Sequence, residues 1–168
     1  NGGSDDMYMV GKLAAFQIQS LLIAYKERFD KDNFVKNLLL DNLLLVDIYN
    51  RAKKLHIDTE ARRVIFIVET NHEKDNIRGI LSARTKDFIT AVDEKDIIIM
   101  KQLGLTEGYP ELEKAAAEFY DALKSEGEEN VRIAYGTIVN DIREVSKSYK
   151  EAKLALDVGK IFFDEKKV

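Results

Sequence analysis

Apolar residues recur at steps of three and four along the first third of the chain. In an α-helix this spacing places the side chains on one face. It predicts a long amphipathic helix from Met7 to Phe29, whose apolar stripe consists of Met7, Val10, Ala14, Ile18, Leu21, Tyr25 and Phe29. Asp32 or Asn33 could cap a second helix over Phe34 to Leu40, and Leu44 to Leu55 has the same helical spacing. The first third is therefore predicted to be helical.

The pattern then changes to short apolar runs. Val64–Val68 is a β-branched and aromatic run of strand length, which is typical of a buried central strand. A helix is expected over Lys74–Arg84. Two further runs, Phe88–Val92 and Ile97–Met100, flank the polar turn Asp93–Asp96, and this arrangement predicts a β-hairpin.

The last elements are delimited by turn and cap residues. Pro110 suits the first position of a helix that Gly127 would end, and Val131–Gly136 is a fourth strand. Asp141, with Glu144 in a capping box, opens a helix expected to reach Gly159. The order strand, helix, strand, strand, helix, strand, helix predicts a ferredoxin-like α+β fold, an antiparallel sheet with helices on one face, preceded by an N-terminal helical segment.

Three segments together resemble one family. They are Phe34–Asn42, Arg51–Asp58 and Ser146–Leu156, and they resemble the middle region of the sugar diacid utilization regulators, the CdaR/PucR-type transcriptional regulators. The family pattern has a glycine where this chain has His56. The resemblance implies a nucleotide-cyclase-like, GGDEF-like domain that lies between a variable sensory region and a C-terminal helix-turn-helix.

This resemblance suggests a division of the chain. Residues 1–6 are expected to be a disordered or artificial start, 7–60 the helical N-terminal segment, and 61–163 the GGDEF-like domain. Residues 164–168 would begin a linker to a helix-turn-helix that is missing here. The chain is thus interpreted as an excised segment without its DNA reader.

The amino-acid composition limits the kinds of partner that this chain is expected to bind. Lys and Arg total 26 against 30 Asp and Glu, a net charge of -4, which does not favour duplex DNA binding by this segment. Apolar runs of four or five residues argue against a membrane span, and no signal-peptide pattern is found. The absence of Cys excludes disulfides and Cys-based metal sites. The composition therefore favours a cytoplasmic protein with no membrane partner.

Cyclase chemistry would require carboxylates that hold two metal ions on a triphosphate. The matching positions are Glu69 after the first strand, and Asp93 and Glu94 in the hairpin turn. The turn lacks the Gly-Gly that would let the backbone approach a nucleotide. The chain is therefore predicted not to be an enzyme, and no catalytic residue is assigned.

Other candidate sites are weaker. His56 and His72 lack zinc-site spacing, so no metal and no cofactor are predicted. Tyr149 and Lys153 match the Tyr-x-x-x-Lys spacing of short-chain dehydrogenases, but Tyr149 lies on the apolar stripe of its helix, which favours core packing.

The combined prediction is a non-catalytic regulatory and dimerisation domain of a bacterial transcription factor. It would form a homodimer through Met7, Val10, Ala14, Ile18, Leu21 and Tyr25, and would reach DNA only through the missing helix-turn-helix. The alternative is a sensor of a small carboxylate or sugar diacid effector, bound by Arg62, Arg63 or Arg132. A degenerate or active cyclase is the third interpretation.

Overall fold

A computed structural model describes residues 2–71 and 73–158 of the chain. It divides into a first unit that ends at Phe34 and a second that begins at Val35. The helices and strands are α1 (Gly2–Leu39), α2 (Leu45–Lys54), β1 (Arg62–Glu69), α3 (Lys74–Ser82), β2 (Phe88–Thr90), β3 (Asp96–Leu103), α4 (Tyr109–Ser125), β4 (Arg132–Tyr135), the 3-10 turn Ile142–Glu144, and α5 (Val145–Asp157). The predictions for His72, for the helix end at Gly159 and for residues 160–168 lie outside the described residues.

The four strands form one antiparallel sheet in the order β2-β3-β1-β4. This order confirms the ferredoxin-like α+β fold. In the centre, Phe66 of β1 lies opposite Ile99 of β3 and Tyr135 of β4. The predicted hairpin is present, with Ile89 of β2 opposite Ile99.

One face of the sheet packs against α3 and α4. Alternate residues of a strand point to the same face, and Val64, Phe66 and Val68 of β1 share one buried cluster with residues of both helices. The Phe66 ring meets that of Phe119 of α4 edge to face, with centroids 5.6 Å apart. This layer is the helix layer predicted from the sequence.

The opposite face is also covered, which corrects the expectation of helices on one face only. Ile65 and Ile67 of β1 are fully buried but lie outside the cluster with α3 and α4. The helix α5 packs against β1 and β4, and its buried residues Tyr149 and Ala152 are absent from that cluster. The sheet is therefore sandwiched between α5 and the α3–α4 layer.

The helix α1 is longer than predicted. It runs without interruption through Asp32 and Asn33, which were expected to cap a separate helix. A polar residue can cap a helix only where the backbone leaves the helical conformation, and here the helix continues to Leu39, with Val35, Leu38 and Leu39 buried. The prediction of two helices in this stretch is wrong.

Helix ends follow the expected chemistry elsewhere. Pro110 lies in the first turn of α4, and Gly127 ends it with φ 85°. The helix α2 ends with His56 at φ 56°, and the His56 and Ile57 N–H groups donate to the carbonyls of Lys53 and Ala52. This is a Schellman motif, in which the left-handed position is normally glycine. His56 thus holds the place that glycine has in the resembling family.

The predicted cap before α5 is present in part. Asp141 accepts a hydrogen bond from the Arg143 N–H, as an N-cap residue does. Glu144 lies in the 3-10 turn and makes no capping hydrogen bond for α5. The reciprocal capping box is therefore not formed, because the 3-10 turn intervenes between the cap and the helix.

Candidate functional site

The carboxylates at the cyclase-equivalent positions lie at the end of the sheet where β1 stops and β3 begins. Glu69 and Asp96 are opposite each other in the β1–β3 register, and Asp93 lies in the preceding turn. Glu69 Oε1 accepts a hydrogen bond from Arg132 Nε of β4 at 2.8 Å and forms an ion pair with Arg132 Nη2 at 2.7 Å. Glu69 is therefore already paired inside the chain.

The turn itself is stabilised by Asp93. Its Oδ1 accepts the backbone N–H groups of Lys95 and Asp96 at 2.9 and 3.0 Å, and its Oδ2 accepts from Lys153 Nζ at 3.2 Å. Burial acts to raise the pKa of Asp93, but these hydrogen bonds outweigh it and the pKa is lowered. Asp93 thus serves as a structural acceptor for the turn.

Lys153 of α5 contacts a second carboxylate in the same place. Its Nζ lies 3.6 Å from Asp96 Oδ2, and only 10% of the Asp96 side chain is exposed. Burial, followed by the charge of Asp93, raises the pKa of Asp96. Burial acts to lower the pKa of Lys153, but the hydrogen bond to Asp93 outweighs it, and the pKa of Lys153 is raised. One ammonium group therefore serves two carboxylates that repel each other.

A cavity of about 420 Å³ opens beside the turn and is lined by Glu73, Lys74, Asp75 and Glu94. Three of these four side chains are acidic, so the cavity wall would repel a triphosphate. Among residues 2–71 and 73–158, no group of three or more His, Asp and Glu side chains has the geometry to hold a metal ion.

The helix α5 is attached to the sheet through residues of the Ser146–Leu156 segment. The buried Ser148 Oγ accepts the Ile65 backbone N–H at 3.0 Å. Glu151 Oε2 accepts the backbone N–H of Thr137 at 3.0 Å and its hydroxyl at 2.5 Å. Tyr149 and Ala152 are buried. This part of the helix therefore binds the sheet by hydrogen bonds and by packing at once.

Gly136 at the end of β4 explains how closely α5 approaches. A Cβ placed on Gly136 would lie 2.0 Å from the Ser148 carbonyl oxygen, so no other residue fits without displacement of the helix. Close approach of two backbones is a usual reason for a glycine. We refer to Gly136, Ile65, Thr137, Ser148 and Glu151 as the α5 seat.

The three candidate ligand arginines do not come together. Arg62 donates from Nη1 to the carbonyl oxygens of Gly104 and Glu107 at 2.8 and 2.7 Å, which fixes the loop after β3. Arg63 is buried and donates to the Asp58 carbonyl, and burial lowers its pKa. Arg132 binds Glu69 at the far end of β1. A carboxylate effector would find no shared arginine site here, and the ligand role of these residues stays a prediction.

Tyr149 and Lys153 do not resemble a dehydrogenase pair. Tyr149 is 7% exposed and packs in the core, as expected from its position on the apolar stripe of α5. Burial raises the pKa of its hydroxyl, which opposes the ionisation that such catalysis needs. The interpretation of Tyr149 as a core residue is therefore supported.

The predicted interface residues of α1 are exposed. Met7, Val10, Ile18, Leu21 and Tyr25 have between 59 and 79% of their surface exposed, and Ala14 is exposed as well. Further large apolar side chains lie around the rest of this helix and are also exposed: Tyr8, Met9, Leu13, Phe16, Leu22, Ile23 and Phe29. The self-association of α1 stays a prediction.

The same helix corrects the argument against a membrane span. The stretch Gly3–Leu39 contains an 18-residue window of mean hydropathy 1.3, so it is long and apolar enough to cross a bilayer by length and composition. No long uninterrupted apolar run marks this stretch, because single residues such as Lys12 and Gln17 divide it. Run length alone therefore does not exclude a membrane helix.

Comparison with known families matches residues 42–158 to the model of the GGDEF-like domain. The match covers more than half of the chain, and the chain therefore belongs to the GGDEF-like domain family. A solved structure, the crystal structure of a DGC protein from Thermotoga maritima, is similar with a TM-score of 0.46 and 17% identity, over 66% of this chain and 87% of that one. A search of curated proteins finds no match.

Proposed function

We propose that the chain is a non-catalytic regulatory and dimerisation domain of a bacterial transcriptional regulator of the sugar diacid utilization, CdaR/PucR type. It acts in the cytoplasm, where two copies associate and position two C-terminal DNA readers. A signal that changes how the copies pack changes the separation of the readers, and operator half-sites are read at fixed separations.

The observation that supports the non-catalytic part is that two of the three cyclase-equivalent carboxylates, Glu69 and Asp93, are bound by other groups of the chain. Glu69 is bound by Arg132, and Asp93 is bound by the backbone of its own turn and by Lys153. A carboxylate that holds a catalytic metal ion must present free lone pairs to that ion. These positions support a structural role in place of a catalytic one.

The regulator type is supported by the α5 seat. Ser148, Tyr149, Glu151 and Ala152 lie in the segment Ser146–Leu156, one of the three segments that resemble this family. Each of these four residues attaches α5 to the rest of the domain by a hydrogen bond or by burial. The residues that resemble the CdaR/PucR-type regulators in this segment are therefore the ones that hold α5 on the sheet.

Dimerisation is supported by the exposed stripe on α1. Each large apolar side chain removed from water contributes roughly 1.5 to 3 kcal/mol, so a second copy that covers the stripe would gain considerable stability. Lys12 and Gln19, seven positions apart, lie on one side of the helix and away from the stripe. That side also carries exposed apolar residues such as Phe16 and Ile23, but an ionised Lys12 would be costly in the centre of a bilayer.

A cyclase assay tests the catalytic part. The purified chain is incubated with GTP or ATP and with Mg²⁺ or Mn²⁺, and products are separated by chromatography and identified by mass. We expect no cyclic product above the protein-free blank. Turnover that disappears in Glu94→Ala would contradict the proposal.

A repression assay tests the dimerisation part. The chain is fused to a monomeric DNA-binding domain whose operator is repressed only by a dimer. We expect repression by the wild-type fusion and its loss with Ile18→Glu plus Leu21→Glu. Phe16→Glu plus Ile23→Glu, on the opposite side of the same helix, is the matched control and should still repress. A wild-type fusion that is expressed but does not repress would refute dimerisation.

A further inference from the structure

The β2–β3 turn and α5 are far apart in sequence but are joined by one side chain. Lys153 Nζ lies 3.2 Å from Asp93 Oδ2 and 3.6 Å from Asp96 Oδ2, while the α5 seat holds the preceding turn of the same helix. The seat fixes α5 to β1 and β4, and Lys153 adds an attachment to β3 and its turn. The helix α5 is thus attached to the sheet at two places, the α5 seat and Lys153.

We propose that Lys153 is a latch that ties α5 to the β2–β3 turn, so that the position of α5 depends on the conformation of that turn. The proposal rests on this geometry alone, whether or not the proposed function holds. Whatever rearranges the turn then acts on the last helix that the structure describes.

The latch differs from an ordinary surface ion pair because Asp96 is buried. Asp96 Oδ1 has no hydrogen-bond partner among the described residues, so Lys153 supplies the compensation that this carboxylate has. Exposed pairs contribute little, whereas removal of one partner of a buried pair leaves a charge that is costly to bury. The turn is therefore expected to move when Lys153 is removed.

The charged groups around the latch are all on neighbouring elements. Asp96 is influenced by Asp93 in the turn, by Lys153 on α5 and by Glu69 on β1, and Glu69 is neutralised by Arg132 of β4. With Glu69 paired separately, Lys153 is the cation that contacts both aspartates, and Asp93 is held in addition by two backbone N–H groups of the turn. Because Arg132 pairs with Glu69 and Lys153 with the two aspartates, the link between α5 and the turn depends on Lys153.

A matched control lies one turn earlier on the same helix. Lys150 forms an ion pair with Asp41 at 3.3 Å, but both side chains are more than 60% exposed. The side chains of Lys153 and Asp96 are 41 and 10% exposed. If burial of the partner makes the latch, Lys150→Met should have little effect where Lys153→Met has a large one.

Hydrogen exchange followed by mass spectrometry tests the latch in the full chain. We expect Lys153→Met to speed amide exchange about tenfold in both the turn, residues 91–95, and in α5, as for coupling lost between contacting groups. Lys153→Arg should retain the protection, because its guanidinium reaches the same carboxylates. Lys150→Met should exchange like the wild type.

The decisive variant is Asp93→Asn, which weakens the contact with Lys153 from the side of the turn and leaves the sequence of α5 unchanged. Faster exchange in α5 of this variant would show the coupling, and it serves equally if Lys153→Met does not fold. Unchanged α5 exchange in Asp93→Asn would overturn the proposal. So would a Lys150→Met variant that loses as much protection as Lys153→Met.

Discussion

The hydrogen bond from the Ile65 N–H to Ser148 Oγ leads to a quantitative prediction. Ser148 is fully buried, and the bond joins β1 to α5 across 83 positions of sequence at 3.0 Å. In Ser148→Ala the Ile65 N–H would remain buried without this acceptor. A buried donor left unsatisfied costs about 1 to 3 kcal/mol.

One opposing effect reduces this cost. Alanine favours a helix over serine by up to about 0.7 kcal/mol. The net loss in the free energy of unfolding is therefore expected to be about 0.3 to 3 kcal/mol. For an m-value of about 2 kcal/mol/M, the urea midpoint would fall by about 0.2 to 1.5 M.

Equilibrium unfolding in urea, followed by circular dichroism, measures this difference. Ser146→Ala is the matched control, because Ser146 is buried on the same helix two residues earlier. We expect it to shift the midpoint by less than about 0.25 M, since it gains helix propensity and leaves the Ile65 bond intact. If Ser148→Ala is as stable as Ser146→Ala, the reasoning about the α5 seat is refuted.

Three further predictions concern other parts of the molecule. Light scattering should report a dimer for the wild type and a folded monomer for Ile18→Glu plus Leu21→Glu. A wild type that is monomeric at high micromolar concentration, or that floats with lipid vesicles, would contradict the proposed α1 dimer interface. His56→Gly should stabilise the chain by about 0.5 to 1 kcal/mol in urea unfolding. It removes left-handed strain of about 1 to 2 kcal/mol, and the larger unfolded-state entropy of glycine offsets part of this gain. Gly127→Ala, at the matching position of α4, should destabilise the chain. Asp96→Asn should raise the urea midpoint at pH 7, because the folded-state pKa of Asp96 is raised and its charged form destabilises the fold above that pKa. This advantage over the wild type should shrink as the pH falls toward 4, and an advantage that grows would contradict the assigned direction.

Local patterns in the sequence predicted most of the elements. The run Val64–Val68 marked β1, the polar residues Asp93–Asp96 marked the hairpin turn, and Gly127 marked the end of α4. Each signal lies within a few residues of the element that it predicts. The alternation of strands and helices then sufficed for the ferredoxin-like order.

The contacts that define the candidate site could not be predicted in this way. Ser148 meets Ile65, and Lys153 meets Asp93, across 83 and 60 positions. These pairs depend on which face α5 covers and on its rotation about its own axis, and neither leaves a local signal. The three candidate ligand arginines do not form a cluster, since Arg62 and Arg132 lie near opposite ends of β1, and the sequence carries no local signal of that separation.

Gly136 has a consequence for how movement can pass through the domain. Where Gly136 meets Ser148, the α5 backbone rests directly on the end of β4, so at this point no side chain lies between them that could repack or yield. A flexible layer would absorb a small displacement, and direct backbone contact cannot. The part of α5 around Ser148 is therefore expected to travel with the end of β4, and any displacement that reaches the helix through Lys153 would have to pivot about this contact.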